Sequence, residues 1–225
     1  MKAWAICASA IVLAGCTTTA TKVATVSFEK PGAGSTILLM KPDITLAALT
    51  ASGVGEPRAD WMASASQNLS AEAREFAQSK GLQVKEFDPA AAEDQRVQQV
   101  IKLNSAVSQS IRMHAYALAL PSKTTFDWTL GDGAKSLADR EGATYALFIN
   151  GSGTYSTAGR AMMQIFAAAA GVGIAGGGQS VFVSLVELKT GRVMWTNAVL
   201  AGPNDMRKPE GADLLAKSLF KDAPL

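Results

Sequence analysis

Ser180-Val181-Phe182-Val183-Ser184-Leu185-Val186-Glu187-Leu188-Lys189-Thr190-Gly191-Arg192-Val193-Met194-Trp195-Thr196-Asn197-Ala198-Val199 holds two apolar runs joined by the turn signal Lys189-Thr190-Gly191. Apolar runs of strand length with a glycine-containing connection between them make a β-hairpin. Working outward, Thr144-Tyr145-Ala146-Leu147-Phe148-Ile149 reads as an interior strand, followed by a glycine-broken stretch over residues 150–159. Ser35-Thr36-Ile37-Leu38-Leu39-Met40, ended by Pro42-Asp43, fits a strand buried on both faces. Residues 44–50 read as an edge strand and residues 82–87 as a further strand.

Helices fill the gaps. Trp61, Ala65, Leu69, Ala73 and Phe76 recur at spacings of four and three behind Asp60, an expected N-cap, and Gly81 stops the pattern. Asp88-Pro89 predicts the start of a second helix reaching about His114, with Val97, Val100, Ile101, Val107 and Ile111 on its buried face. Residues 121–133 read as a loop anchored by Phe126 and Trp128, and residues 134–140 as a short helix closed by Gly142. Residues 161–170 are expected to be a helix of small residues packed on the sheet, and 213–221 a closing helix that can bury Leu214, Leu215, Leu219 and Phe220. The fold class is therefore α/β, a mixed sheet with packed helices ending in a β-hairpin and a C-terminal helix.

With 225 residues, 48% of them hydrophobic and 18% charged, the chain has enough apolar material for a real core. A formal charge of +2 with no basic cluster gives no nucleic-acid footprint. One histidine, His114, and two cysteines leave too few soft ligands for a zinc or iron–sulfur site, so no metal and no cofactor are expected. The N-terminus is more informative. Met1-Lys2 precedes an apolar run over residues 3–13, eleven residues where a bilayer needs about 20. Leu13-Ala14-Gly15-Cys16 follows and resembles the bacterial lipobox. That resemblance implies a lipoprotein signal peptide over residues 1–15, lipidation of Cys16, a lipidated tether over 16–34 and a single α/β domain over 35–225. Thr17, where an aspartate would resemble the inner-membrane retention signal, favours the outer membrane with the domain facing the periplasm. Cys7 has no such box, and cleavage ahead of Cys16 leaves no second cysteine for a disulfide within the mature chain.

Val183 to Trp195 also looks like the final hairpin of a group of envelope proteins that includes the curli-secretion lipoprotein, the N-terminal domain of the Tol system's periplasmic propeller protein and lipoprotein activators of peptidoglycan synthases. Together with Tyr145-Ala146-Leu147-Phe148 and Ala158-Gly159-Arg160, it is similar to an uncharacterised proteobacterial outer-membrane lipoprotein family. The resemblance implies a non-enzymatic domain that binds or helps assemble another cell-envelope protein. A cell-wall-acting enzyme and a subunit of a secretion pore are the alternatives.

Catalytic motifs fail on context. Gly171-Val172-Gly173-Ile174-Ala175-Gly176 has the dinucleotide spacing but follows a helix and precedes a strand, the reverse of what aims amides at a pyrophosphate. Ser27-Phe28-Glu29-Lys30, Ser66-Gln67-Asn68 and Lys189-Thr190-Gly191 match the three short motifs of penicillin-recognising enzymes, with Ser27 in the tether and Lys189 in a turn. His114 stands without a nucleophile elbow. Trp61, Trp128 and Trp195 read as core anchors. The most unusual stretch is 161–178, rich in alanine and glycine with Gln164 as its polar side chain. Tyr155, Arg160 and Phe166 are the candidate partner contacts on it and at its rim, where small residues let another surface approach.

Overall fold

In the computed structural model, which describes residues 18–24, 30–200 and 204–225, the chain runs β1 (Thr18–Val23), β2 (Thr36–Met40), β3 (Asp43–Leu49), β4 (Gly55–Pro57), α1 (Ala59–Ser79), β5 (Gln83–Phe87), α2 (Gln95–Ile111), α3 (Lys135–Glu141), β6 (Tyr145–Ser156), α4 (Ala158–Ala169), β7 (Gly178–Glu187), β8 (Arg192–Leu200) and α5 (Pro209–Leu219). The signal segment and Cys16 lie outside the described residues. The fold is α/β with a mixed eight-stranded sheet ordered β1-β8-β7-β6-β2-β5, with β3 against β6 and β4 on β3. The β7–β8 hairpin and the closing helix α5 are both present.

Strand alternation divides the core between the two sheet faces. Ile37, Leu39, Leu147, Ile149, Val183, Leu185 and Trp195 pack with α1 and α5. Leu38, Met40, Ala146, Phe148, Phe182 and Val186 pack with α2 and α3. Trp195 is fully buried, as its place in the hairpin predicts. A bulge between Leu185 and Val186 lets Met194 join Trp195 on the first face. Asn197 is buried on that same face, and its Nδ2 donates to the carbonyls of Ser218 (3.1 Å) and Leu219 (2.8 Å), two of the otherwise open acceptors at the end of α5.

β6 is the spine. Its first residues, Tyr145 to Leu147, pair in parallel with β2, and Asn150 to Ser156 pair in parallel with β3, while β7 runs antiparallel along Tyr145 to Thr154 on its other side. β2 and β3 thus act as one long strand interrupted at Lys41-Pro42. The stretch expected to be glycine-broken is continuous strand to Ser156. Gly151 and Gly153 stay in it because their neighbours crowd in: a Cβ on Gly151 would lie 2.6 Å from Ile44 Cδ1, and one on Gly153 2.9 Å from the Gly178 carbonyl.

Other local expectations are corrected. Thr18–Val23, placed in the tether, is a strand antiparallel to β8. The N-cap of α1 is Arg58, and Asp60 sits in the first turn, held by Arg58 at 2.9 and 2.7 Å. Asp88 caps only a single 3₁₀ turn over Pro89–Ala91, and α2 begins after Asp94, whose carboxylate accepts from the Arg96 and Val97 amides at 2.7 and 3.3 Å. α2 then widens into a π-helical turn, Arg112–Ala117, that contains His114. Leu214 of α5 is exposed, whereas Leu215, Leu219 and Phe220 are buried.

Candidate functional site

α4 is fixed at both ends by ordinary local chemistry. Thr157 caps it, its Oγ1 accepting from the Arg160 amide at 3.2 Å, and the amide and hydroxyl of Thr157 both donate to the Leu49 carbonyl at the end of β3, each at 3.0 Å. At the C-terminus, Val172 N donates to Ala167 O (2.8 Å) and Gly171 N to Ala168 O (3.0 Å), with Gly171 left-handed at φ 76°. This is the Schellman arrangement, and glycine adopts that backbone without strain. The chain then returns past β6 so closely that a Cβ on Gly177 would lie 2.2 Å from the Thr154 carbonyl oxygen. The last glycines of the loop are a packing surface.

The sides of α4 are arranged in reverse of a surface helix. Arg160, Gln164 and Ala167, at spacings of four and three, are the half-buried positions facing the domain. Arg160 Nη2 and Nε donate to the Ala175 carbonyl at 2.7 and 3.2 Å, and Nη1 reaches Ala51 O at 3.5 Å, so one guanidinium ties the glycine loop to the turn after β3. Met162, Met163, Ile165 and Phe166 point away, and Phe166 is 63% exposed. Val172, beyond the end of the helix, is exposed as well. The expected packing of this helix on the sheet is therefore corrected: no side chain of α4 is buried against the described residues. Arg160 takes the inward side because the glycine loop offers it the Ala175 carbonyl there.

Tyr155 sits at the base of the same region and is turned inward. Its hydroxyl donates to Gln179 Oε1, its ring meets Trp61 edge-on with centroids 5.8 Å apart, and the Arg207 guanidinium lies 3.6 Å from its centroid. Burial and the neighbouring Asp205 carboxylate push the phenol well above its usual range. Arg207 is bidentate to Asp205, 2.8 Å in each contact, which holds that carboxyl below its ordinary value. Of the three residues singled out from sequence, the structure brings all to one end of the sheet, and Phe166 alone is exposed. Met162, Met163 and Ile165 complete the face. The polar pair Arg160 and Gln164, four apart, is the sequence signal that one side of this helix differs from the rest.

The remaining candidates are dispersed. His114 is half-buried in the π-helical turn, Ser66 and Asn68 lie on α1 with Asn68 Nδ2 on the Met206 carbonyl at 3.3 Å, Lys189 is in the hairpin turn, and Ser27 falls outside the described residues. Gly171 to Gly176 follows α4 and precedes β7, the inverted order expected. Among the described residues no group of three or more His, Cys, Asp or Glu is placed to hold a metal ion, and no helix is long and apolar enough to cross a membrane.

No protein-family model matches the sequence, and no curated protein matches it. Solved structures of PelC from Paraburkholderia phytofirmans, described as dodecamers, are similar at 15% identity and a TM-score of 0.38. The alignments cover 91% of this chain and 93% or 92% of those chains.

Proposed function

We propose that this protein is a lipid-anchored, non-catalytic binding or assembly factor of the outer membrane, facing the periplasm, and that it docks another envelope protein on the outward face of α4. The observation that carries the reading is the inverted helix: Arg160, on its inward side, ties it to the domain, and its large apolar side chains face out. Contiguous exposed apolar surface of this kind marks interaction sites.

The sheet register supports a membrane-proximal partner. Thr18 pairs with Leu200, Leu200 with Ser180, and Gly178 with Thr154, so β1 begins at the end of the sheet that carries α4. Cys16 precedes Thr18 by two residues, which limits their Cα separation to about 7 Å. A lipid on Cys16 and the apolar face of α4 then share one end of the domain, and the fitting partner is a protein seated in or on that membrane.

The test is a photo-crosslinker at position 165 of the intact lipoprotein in cells, with and without Phe166→Asp. A discrete protein adduct that Phe166→Asp abolishes supports the reading. An adduct of unchanged yield, or crosslinks to lipid alone, overturns it. Separately, Cys16→Ser abolishes fatty-acid labelling if the anchor is assigned correctly, and continued labelling removes it.

A further inference from the structure

The π-helical turn that ends α2 closes a small pocket, of about 140 Å³, against β7 and β8. Arg112, Tyr116 and Ala117 of the turn form one wall, and Phe182, Ala198 and Leu200 of the hairpin form another. Phe182 and Ala198 are directly opposed in the ladder, so the hairpin side is an apolar stripe on one sheet face. Ligand pockets begin at about 300 Å³, so this one admits a short run of methylenes and leaves the rest of their molecule outside.

The other polar groups in the lining already have partners. The Tyr116 hydroxyl lies 2.7 Å from Thr196 Oγ1, and the Ser180 hydroxyl 3.2 Å from that of Ser152. Arg112 is the exception. It makes no ion pair and no hydrogen bond with a described residue, and its guanidinium stands 6.0 Å from the Phe182 ring centroid. Its Nε is shut from solvent, so the Nη end of this half-buried side chain is what a ligand meets. A guanidinium left free beside an apolar pocket selects an anion that carries an apolar chain, and its fork of donors matches a phosphate.

The place of the pocket narrows the choice. Leu200 pairs with Thr18, so the Cys16 Cα lies within about 13 Å of the Leu200 Cα. Met113, Leu118 and Leu120, in the turn and just after it, are all exposed, Leu118 at 66%. Exposed apolar side chains beside an arginine, at the end of the domain nearest the lipid attachment, suit the interface of a bilayer. We propose that the π-helical turn is a membrane-lipid contact, in which Arg112 holds the phosphate of an anionic phospholipid and the pocket under the turn takes the methylenes next to its headgroup. The nearness of the bilayer rests on the Cys16 reading, whereas the pocket and its free cation do not.

The test uses the chain from residue 16 on with Cys16→Ser, which keeps every described residue and needs no detergent. Dihexanoyl phosphatidylglycerol, dihexanoyl phosphatidylcholine and glycerophosphoglycerol are titrated below micellar concentrations, following the backbone amides of 112–118 and 180–182 by NMR. Saturable shifts with the phosphatidylglycerol, at least about fivefold weaker binding of the phosphatidylcholine and no shift with the headgroup alone are expected, since one cation near an anionic surface is worth about that factor. Arg112→Gln should lower the phosphatidylglycerol affinity by at least about fivefold, and Phe166→Asp should leave it unchanged. Should Arg112→Gln fail to fold, Ala117→Phe, at an exposed position, fills the mouth of the pocket and abolishes binding. No shift with either lipid, equal binding of the two, equal shifts with the headgroup alone, undiminished binding in folded Arg112→Gln or Ala117→Phe, or loss in Phe166→Asp overturns the proposal. No lipidated cysteine enters this measurement, so its failure leaves the anchor and docking readings to fatty-acid labelling and the crosslink at 165.

Discussion

The β7–β8 hairpin and α4 are both strongly apolar segments, adjacent in the chain and joined by one glycine loop, and they meet opposite fates. Every residue from Val181 to Val186 and from Val193 to Val199 is buried, while Met162, Met163, Ile165 and Phe166 of α4 are all exposed. Composition does not separate them. Neighbours do: the hairpin is flanked by β1 and β6 and covered on each face by helices, whereas α4 emerges from the end of β6, past the sheet, where among the described residues a glycine loop, a turn and the end of β6 are what it meets. Burial is decided by where the chain exits the sheet as much as by hydrophobicity.

The contrast can be broken most directly at Trp195. Its ring is fully buried against the α1 and α5 side, so Trp195→Ala should cost about 3–5 kcal/mol in urea unfolding. A loss below about 1 kcal/mol would mean that the hairpin does not hold the core. The indole Nε1 is buried and no described group hydrogen-bonds it, so the expected loss comes from packing alone.

Glycines sharpen the comparison next. Gly191, closing the hairpin turn, and Gly171, closing α4, are both left-handed, at φ 69° and 76°. A Cβ on Gly191 would lie 2.2 Å from the Gly131 carbonyl oxygen, whereas one on Gly171 meets nothing within 4 Å. Gly191→Ala should therefore cost about 2–4 kcal/mol, backbone strain plus a displaced loop, and Gly171→Ala about 1 kcal/mol from strain alone. Equal losses in thermal unfolding would show that the two turns are packed alike.

The same contrast explains what the sequence could disclose. The hairpin, β2 and the first half of β6 were readable because unbroken apolar runs bounded by turn residues suit strands buried on both sides. Thr18–Val23 was not, since Thr-Thr-Ala-Thr-Lys-Val has too little apolar pattern and becomes a strand only because β8 offers an edge. The second half of β6 hides behind Gly151 and Gly153, whose necessity depends on Ile44 and Gly178, distant in the chain. On α2, Asn104 and Ser108 continue the buried spacing of Val97, Val100 and Ile111, but polar side chains break the pattern. The candidate docking face was half legible: Phe166 stood out in an apolar stretch, and which side of α4 faces the domain depends on the carbonyls of Ala175 and Ala51.

Tyr116 probes the hairpin's polar edge. Its hydroxyl is 2.7 Å from Thr196 Oγ1 on β8, and burial raises the phenol from 10.0 to about 12. The unfolded chain ionises first, so the stability contributed by the neutral phenol is complete below pH 10 and is lost as the pH rises to about 12. At about 1.4 kcal/mol per unit, and allowing for partial exposure, roughly 2 kcal/mol is at stake. Tyr116→Phe should be about 1 kcal/mol less stable than wild type at pH 7, and the difference should shrink or invert by pH 11.5. A constant difference across that range would place the hydroxyl in water.

The smallest stability effect belongs to α4 and carries the other half of the comparison. Ile165 is 62% exposed, so Ile165→Ser removes little buried area and adds a hydroxyl that water satisfies. The expected change in unfolding free energy of the isolated protein is below about 0.5 kcal/mol, against a cost of about 2 kcal/mol or more for truncating a buried isoleucine. Arg160→Met should do more than this despite leaving the helix more apolar, because it removes the guanidinium that joins Ala175 to Ala51, and hydrogen exchange should quicken in the glycine loop while the hairpin stays protected. If Ile165→Ser instead destabilised the isolated chain by as much as a core truncation, α4 would be packed against its own domain, and its outward face could not be the docking surface. Neutral Ile165→Ser together with a loosened Arg160→Met loop leaves one account: the inward Arg160 holds this helix, and its apolar residues stay free for what binds it.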